Sequence, residues 1–326
     1  LLKYIDLFCG IGGFRFAIEK EARDFDGIVK CVFSSDIDKY AQESYFANFN
    51  ELPHGDIKLV NAADIPEHNL LFAGFPCQPF SIIGLRGGFE DTRGTLFFDI
   101  ARILSVKKPH AFILENVKQL VGHNGGKTLQ RILDVLKELG YYVEYRVLNA
   151  LNYGLPQKRE RVFIIGSKSE LNLDWQMGKT AMRSLDSILE KNIDPKHFVS
   201  QHIKNRRASF HTSAHSPGIW HENKSGNITS YPYSCALRAN ASYNYLLVDG
   251  IRRLTPREQL RLQGFPETFK IVGSDAQLRK QTGNAVPVNV AQSVIKMLLN
   301  SDDFLNQNFK SVVKLNKQTK RNAQVT

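Results

Sequence analysis

Cysteine is scarce in this chain. Four occur among 326 residues, at positions 9, 31, 77 and 235, with no C-x-x-C pair and no histidine cluster beside them. That argues against a disulfide framework or a structural zinc site and fits a reducing, cytoplasmic setting. No apolar run reaches 18 residues, so no membrane-spanning helix is expected. The opening LLKYIDLFCG has neither a basic leader nor a cleavage region and reads as a first strand rather than a secretory signal. The absence of an initiator Met points to a trimmed start. Repeats and low-complexity tracts are also missing. Positive charge is sparse in the first 100 residues, which hold 9 Lys/Arg against 15 Asp/Glu, whereas residues 101–326 hold 34 against 17. Within a net charge of +11, this asymmetry points to one region facing a polyanion; a solvated basic surface is the plainer alternative.

What the chain does contain is short apolar runs alternating with helical patterns. Residues 4–8, 28–34, 70–75, 111–114, 142–147 and 162–165 read as strands. Helical spacing follows the first strand to about residue 23 and recurs over 128–139, 255–265 and 288–299, where Val290, Val294, Met297 and Leu298 share a face. This predicts an α/β class, a Rossmann-like, mostly parallel sheet with helices on both faces. Residues 169–250 are rich in Asn, Ser, His and Tyr with no clean period, and read as a small irregular domain or a long insertion. The expected organisation is a first catalytic part at 1–167, a small domain at 168–250, a return segment at 251–300 and a helix end with a basic tail at 301–326.

Four chemical groups fall at strand ends, where such sheets place their ligands. They are the glycine turn CGIGG, Asp36, Cys77 and Glu115. The G-x-G-G spacing is neither the dinucleotide fingerprint nor a phosphate-binding loop followed by Lys and Ser/Thr. A glycine turn lets a ligand approach the backbone closely, and an acid after the second strand suits ribose hydroxyls. A nucleoside cofactor without a pyrophosphate fits this better than a dinucleotide, and S-adenosylmethionine is such a molecule. A tight turn with a capping Asp is the alternative. Asp56, in HGDI, is a further candidate near an adenosine.

The stretch GFPCQPFS holds Cys77 between two prolines. Pro76 fixes its own φ and Pro79 restrains Gln78, so the thiol sits in a defined loop, as a nucleophile requires. A core-filling thiol is the alternative, and it is the reading for Cys9 and Cys31. Attack requires a thiolate, which nearby positive charge favours; Lys158, Arg159 and Arg161 in QKRER supply it if the fold brings them near, and are otherwise a solvated run. Glu115, in ILENV, is either a proton carrier or a capping partner, and enclosure would raise its pKa. Thiolate, carboxylic acid, arginine and a sulfonium cofactor together suit methylation of an unactivated pyrimidine carbon. C5 of cytosine is a poor nucleophile until a thiolate adds at C6 and makes it enamine-like.

These stretches resemble the DNA (cytosine-5)-methyltransferases of bacterial restriction-modification systems. The resemblance rests on DLFCGIGGF, SSDIDKYA, GDI, GFPCQPFS, FEDTRGTLFFDIARI, ENV, LNALNYGLPQKRERVFIIG, RRLTPREQLRLQGFP and QTGNAVPVNVA, in that order along the chain. It implies that Phe8, Gly10 and Ile11 wrap the cofactor, that Asp36 holds its ribose and Ile37 packs on its adenine, and that Asp56 lies near the adenine amino group. Pro76 and Leu96 would complete that pocket, and Asn284 would support it. Cys77 matches the nucleophile, Glu115 the acid at N3 of cytosine, and Arg159 and Arg161 the arginines near them. Residues 169–250 match the variable target-recognition region, and the segment 80–96, with Arg86 and Arg93, the loop that closes over DNA.

The reaction so implied adds Cys77 to C6 of a flipped-out cytosine and transfers a methyl group to C5, leaving S-adenosylhomocysteine. Ile82 and Ile83 stand where some relatives carry a small polar residue, which leaves open the side chain that fills the vacated base's space. Arg206, Arg207, His211, Trp220, Lys224 and Arg238 are candidates for contacts to grooves and phosphates, Trp220 equally for a core anchor. The expected partner is double-stranded DNA, with transfer RNA as the alternative substrate. A monomer in the bacterial cytoplasm is expected, with a cognate restriction endonuclease sharing its site and forming no stable complex with it.

Overall fold

The computed structural model describes residues 1–24, 26–76, 96–211 and 215–310. Cys77, Arg86, Arg93 and the tail from 311 lie outside the described residues. The chain begins with β1 (Leu2–Leu7), α1 (Gly13–Asp24), β2 (Val29–Ser35), α2 (Lys39–Phe49), β3 (Leu70–Gly74), α3 (Leu96–Lys107) and β4 (Ala111–Val117). It continues through α4 (Lys127–Glu138), β5 (Tyr142–Asn149), β6 (Gln157–Lys158) and β7 (Glu160–Ser167). The main sheet has the order β2-β1-β3-β4-β7-β5. The first four strands of that order are mutually parallel, whereas β7 runs antiparallel to both neighbours. The expected mostly parallel sheet is therefore mixed at one side. The link from β5 to β7 is too short for a crossover helix, so the chain must turn back on itself. From β1 the chain goes first to β2 on one side and later to β3 on the other. The crevice between the carboxyl ends of β1 and β3 is thus the sheet's switch point.

The inner strands β1, β3 and β4 are buried on both faces, which is why they read as apolar runs, whereas the edge strand β5 is largely exposed. Leu2, Tyr4, Leu70, Phe72, Ala111 and Ile113 face one core, and Ile5, Leu7, Leu71, Ala73, Phe112 and Leu114 face the other. β4 runs on through Val117, three residues past its expected end, because Glu115 and Asn116 pair with Phe163 and Val162 on β7. A polar pair thus sits inside the strand.

Residues 168–250 are more ordered than their composition predicts. They hold α5 (Gln201–Phe210), β8 (Ile219–Glu222), β9 (Ile228–Tyr231), β10 (Ser234–Cys235) and β11 (Leu246–Val248). β11, β8 and β9 form an antiparallel sheet over a core that includes Leu185, Ile188, Ile219 and Leu246. These strands are too short for alternation to show in the sequence. β10 leaves that unit and pairs in parallel with β6.

The return segment contains α6 (Pro256–Leu262), α7 (Asp275–Asn284), α8 (Val288–Ser301) and α9 (Asp303–Lys310). Thr255 and Glu258 form a capping box that starts α6, with Pro256 in its first turn. The helix stops at Leu262, three residues short of expectation, where Gly264 takes a φ of 81°. α8 buries Val290, Val294, Met297 and Leu298 in the same core as Phe14, Ala17 and Ile18 of α1, which closes the fold beside the first strand. Among the described residues no helix is long and apolar enough to cross a membrane.

Candidate active site

The turn after β1 is built around left-handed backbone. Phe8 holds a φ of 55° and Gly10 one of 54°, a region that is costly for a residue with a side chain and that recurs where function demands it. The Gly10 amide donates to Asp36 Oδ2 at 2.8 Å, and the Asp38 amide to Asp36 Oδ1 at 2.8 Å. Asp36 therefore ties the end of β1 to the end of β2. Burial pushes its carboxyl above the ordinary value, against the pull of those two amides. Ile37 follows with 75% of its surface exposed, while Ile11 is buried beneath the turn.

The Asp36 amide donates to His54 O at 2.9 Å, and the His54 amide to Ser34 O at 2.8 Å. This pairing brings the HGDI stretch alongside, where Asp56 Oδ1 accepts from the Lys58 amide at 3.0 Å. A side-chain carbon added at Gly10 or Gly55 would meet nothing within 4 Å, so space lies open over both backbones. An apolar surface offered to solvent, a part-exposed carboxylate and an open glycine turn together fit a nucleoside. Phe8, Gly10, Ile11, Asp36, Ile37 and Asp56 thus meet at the carboxyl ends of β1 and β2.

A second cluster lies across the switch point. Glu115 stands opposite Gly74 in the β3–β4 register. It is 7% exposed. Arg161 lies opposite Val117 on β7, one diagonal step from Glu115. Its Nε meets Glu115 Oε1 at 3.1 Å. Burial pushes the Glu115 carboxyl up, and the positive charges of Arg161 and then Arg159 pull it back. Asn116, to which the sequence assigned no role, donates from Nδ2 to Phe75 O at 2.9 Å. It fixes the backbone immediately before the exposed Pro76 and the step to Cys77. Leu96, half-buried, heads α3 against the core on that side.

The end of α7 and the residues after it close the floor between the two clusters. Val286 packs so tightly that a side chain on Gly13 would meet its carbonyl oxygen at 2.6 Å, and one on Gly74 would meet its Cγ2 at 3.1 Å. Asn284, at the end of α7, is exposed between two engaged neighbours. The carbonyls of Gly283 and Ala285 both accept from Arg159. Arg159 is 2% exposed and sends its donors into backbone carbonyls rather than to Glu115. Burial and the neighbouring Arg161 charge lower its pKa to about 9, which leaves it cationic at neutral pH.

Asp6 is a feature the sequence reading passed over. It lies on β1 below the glycine turn, 1% exposed, and neither oxygen has a hydrogen-bond partner among the described residues. Burial pushes its carboxyl up to about 8. The acid inside the apolar run YIDLF was the available signal.

The proposed DNA-contacting residues divide. Arg207 is buried, pairs with Glu222 and donates to the Asn244 carbonyl. Arg206 pairs with the same carboxylate. Trp220 is half-buried, with its ring against Gly250 and stacked on His211 at 3.6 Å. Lys224 and Arg238 are exposed.

Comparison with known proteins agrees with this geometry. The pattern of the C-5 cytosine-specific DNA methylases matches residues 2–300. The type II methyltransferase M.NgoBI of Neisseria gonorrhoeae is 50% identical over 300 residues, 91% of this chain and 93% of that protein. M.HaeII of Haemophilus aegyptius, also a type II methyltransferase, is 50% identical over 302 residues, 92% and 93% of the two chains. Among solved structures, the S. pombe Dnmt2 methyltransferase superposes with a TM-score of 0.72 at 22% identity, over 92% of this chain and 99% of that one, which speaks to the fold alone. The chain belongs to the C-5 cytosine-specific DNA methylase family.

Proposed function

We propose that this protein methylates C5 of a cytosine within a specific sequence of double-stranded DNA, through a covalent adduct at Cys77. The observation that carries the reading is the buried Glu115–Arg161 pair, with Glu115 on the strand whose Asn116 holds the Phe75 carbonyl two residues before Cys77 in the sequence. Cys77 thiolate forms a bond to C6 while Glu115, its carboxyl pushed up by enclosure, donates a proton to N3. The electron pair released toward C5 makes that carbon nucleophilic. S-adenosylmethionine, when bound, supplies a sulfonium methyl group for C5 and becomes S-adenosylhomocysteine. Water takes the C5 proton, the N3 proton returns to Glu115, and departure of the Cys77 sulfur from C6 restores the aromatic ring and frees the thiolate.

Asp36, Ile37 and Asp56 would hold the cofactor's nucleoside, with Phe8, Gly10 and Ile11 shaping the turn beneath it. Pro76, Leu96 and Asn284 would complete the pocket. Arg161 orients Glu115 and limits the rise in its pKa. Residues 168–250 would read the DNA, after the target base has been rotated out of the helix. A monomer acting in the bacterial cytoplasm, alongside a nuclease that shares its site, completes the reading.

Transfer of a labelled methyl group to unmethylated duplex DNA, and in parallel to bulk transfer RNA, tests it. Label on DNA cytosine that disappears in Cys77→Ala is expected. Label on RNA alone would keep the chemistry and refute the substrate.

A further inference from the structure

Arg159 sits two residues from Arg161 and does something different with its charge. Its Nη1 donates to Leu237 O at 2.9 Å, and its Nη2 to Gly283 O at 3.0 Å and Ala285 O at 2.8 Å. Leu237 belongs to the region expected to face DNA. Gly283 and Ala285 flank the end of α7, and the next residue, Val286, packs against Gly13 and Gly74. One guanidinium therefore spans from the recognition region to the floor beneath both halves of the pocket.

Leu237 is held at both of its backbone groups. Its amide donates to Gln157 Oε1 at 3.0 Å, and Gln157 Nε2 donates in turn to Leu262 O at 2.9 Å. The next residue, Arg238, is exposed, with its guanidinium over the Tyr245 ring at 4.7 Å. The contact is also close at the backbone. A side-chain carbon on Gly283 would meet Ala239 N at 2.3 Å and Arg238 C at 2.7 Å.

We propose that Arg159 is a positioning residue for DNA discrimination: it fixes the segment carrying Arg238 in register with the Glu115–Arg161 pair, so that a wrong sequence under that segment misplaces the target base. The inference rests on the proposed function, since it needs residues 168–250 to meet DNA. Three carbonyls served by one planar fork are a task for arginine. A lysine keeps the charge but cannot reach all three in fixed geometry.

The test compares wild type, Arg159→Lys and Gly283→Ala on a duplex carrying the mapped target sequence and on duplexes with one base pair changed. Gly283→Ala strains the same junction from outside and leaves the arginine in place. The readout is the ratio of kcat/KM between the two kinds of duplex. A loss of folded protein scales both rates equally and leaves that ratio alone. A change in cofactor affinity likewise acts on both duplexes alike, so the ratio itself should fall by roughly tenfold in both variants, the scale of one base contact. A ratio equal to wild type in Gly283→Ala, or in Arg159→Lys with only kcat reduced, overturns the proposal and leaves Arg159 a role in the chemistry or in stability alone. A wild type that labels no duplex of any sequence refutes the proposed function itself, and the clamp's role with it.

Discussion

Arg161 Nε and Glu115 Oε1 lie 3.1 Å apart across two antiparallel strands, both side chains nearly enclosed. An acid in such a place experiences two opposing pressures. Burial favours its neutral form, and the arginine favours the anion. The outcome is a carboxyl with a raised pKa that is still held in one orientation, as donation to a ring nitrogen requires.

Glu115→Gln keeps the shape and removes the transferable proton. The single-turnover methylation rate should fall by roughly 10²–10⁴, the usual worth of a positioned acid, while cofactor affinity stays near wild type. Arg161→Gln removes the charge that restrains Glu115. In that variant activity is weaker overall, but its alkaline limb should move to higher pH, because the acid stays protonated further up the scale. A pH–rate profile from pH 6 to 10 checks the direction.

Asp36 accepts from the amides of Gly10 and Asp38 at 2.8 Å each, so it both shapes the turn and faces the expected ribose. Asp36→Ala should weaken cofactor binding by roughly 10–100-fold, the worth of a hydrogen bond to a charged group. Isothermal titration calorimetry with S-adenosylhomocysteine reads this directly.

Asp6 makes stability depend on pH. Its carboxyl titrates near 3.8 when exposed and near 8 when buried, so the folded state binds the proton more tightly. That contribution is complete below about pH 4 and is lost as pH rises toward about 8, by up to about 1.4 kcal/mol per pH unit. Asp6→Asn should flatten this slope. Urea midpoints at pH 5.5 and 8 measure it, and equal slopes in the two proteins would refute it.

Gly13 lies where a side chain would meet the Val286 carbonyl oxygen at 2.6 Å, whereas Gly55 has open space. Gly13→Ala should cost about 1–3 kcal/mol as an overpacked contact and loosen cofactor binding with it. Gly55→Ala should stay within about 0.5 kcal/mol of wild type. Thermal unfolding of the two variants separates them.

Much of this fold was legible because the inner strands β1, β3 and β4 are buried on both faces and so appear as plain apolar runs. Asp36 and Glu115 stood out because chemistry-bearing residues end or interrupt such runs, and the same signal singled out Cys77, which lies outside the described residues. The mixed direction of the sheet was not, since β7 differs from its neighbours only in how the chain returns to it. The small sheet of β8, β9 and β11 was hidden by strands of three or four residues. Arg159 illustrates a further limit. In QKRER it looks like its neighbours, and only the positions of Leu237, Gly283 and Ala285, 78 to 126 residues away, separate it from Arg161. Asn116 was invisible as a clamp for the same reason.

The central claim is a covalent bond between Cys77 and cytosine, and one trapping experiment addresses it. A duplex carrying the mapped site with 5-fluorocytosine at the target is incubated with protein and S-adenosylmethionine. Methyl transfer to C5 then leaves fluorine where the departing proton should be, and elimination of the sulfur is blocked. The account predicts a denaturation-resistant protein–DNA adduct, with the linked peptide containing Cys77, and no adduct from Cys77→Ala. Methylation of the ordinary duplex without any adduct on the fluorinated one, or an adduct that persists in Cys77→Ala, would contradict it.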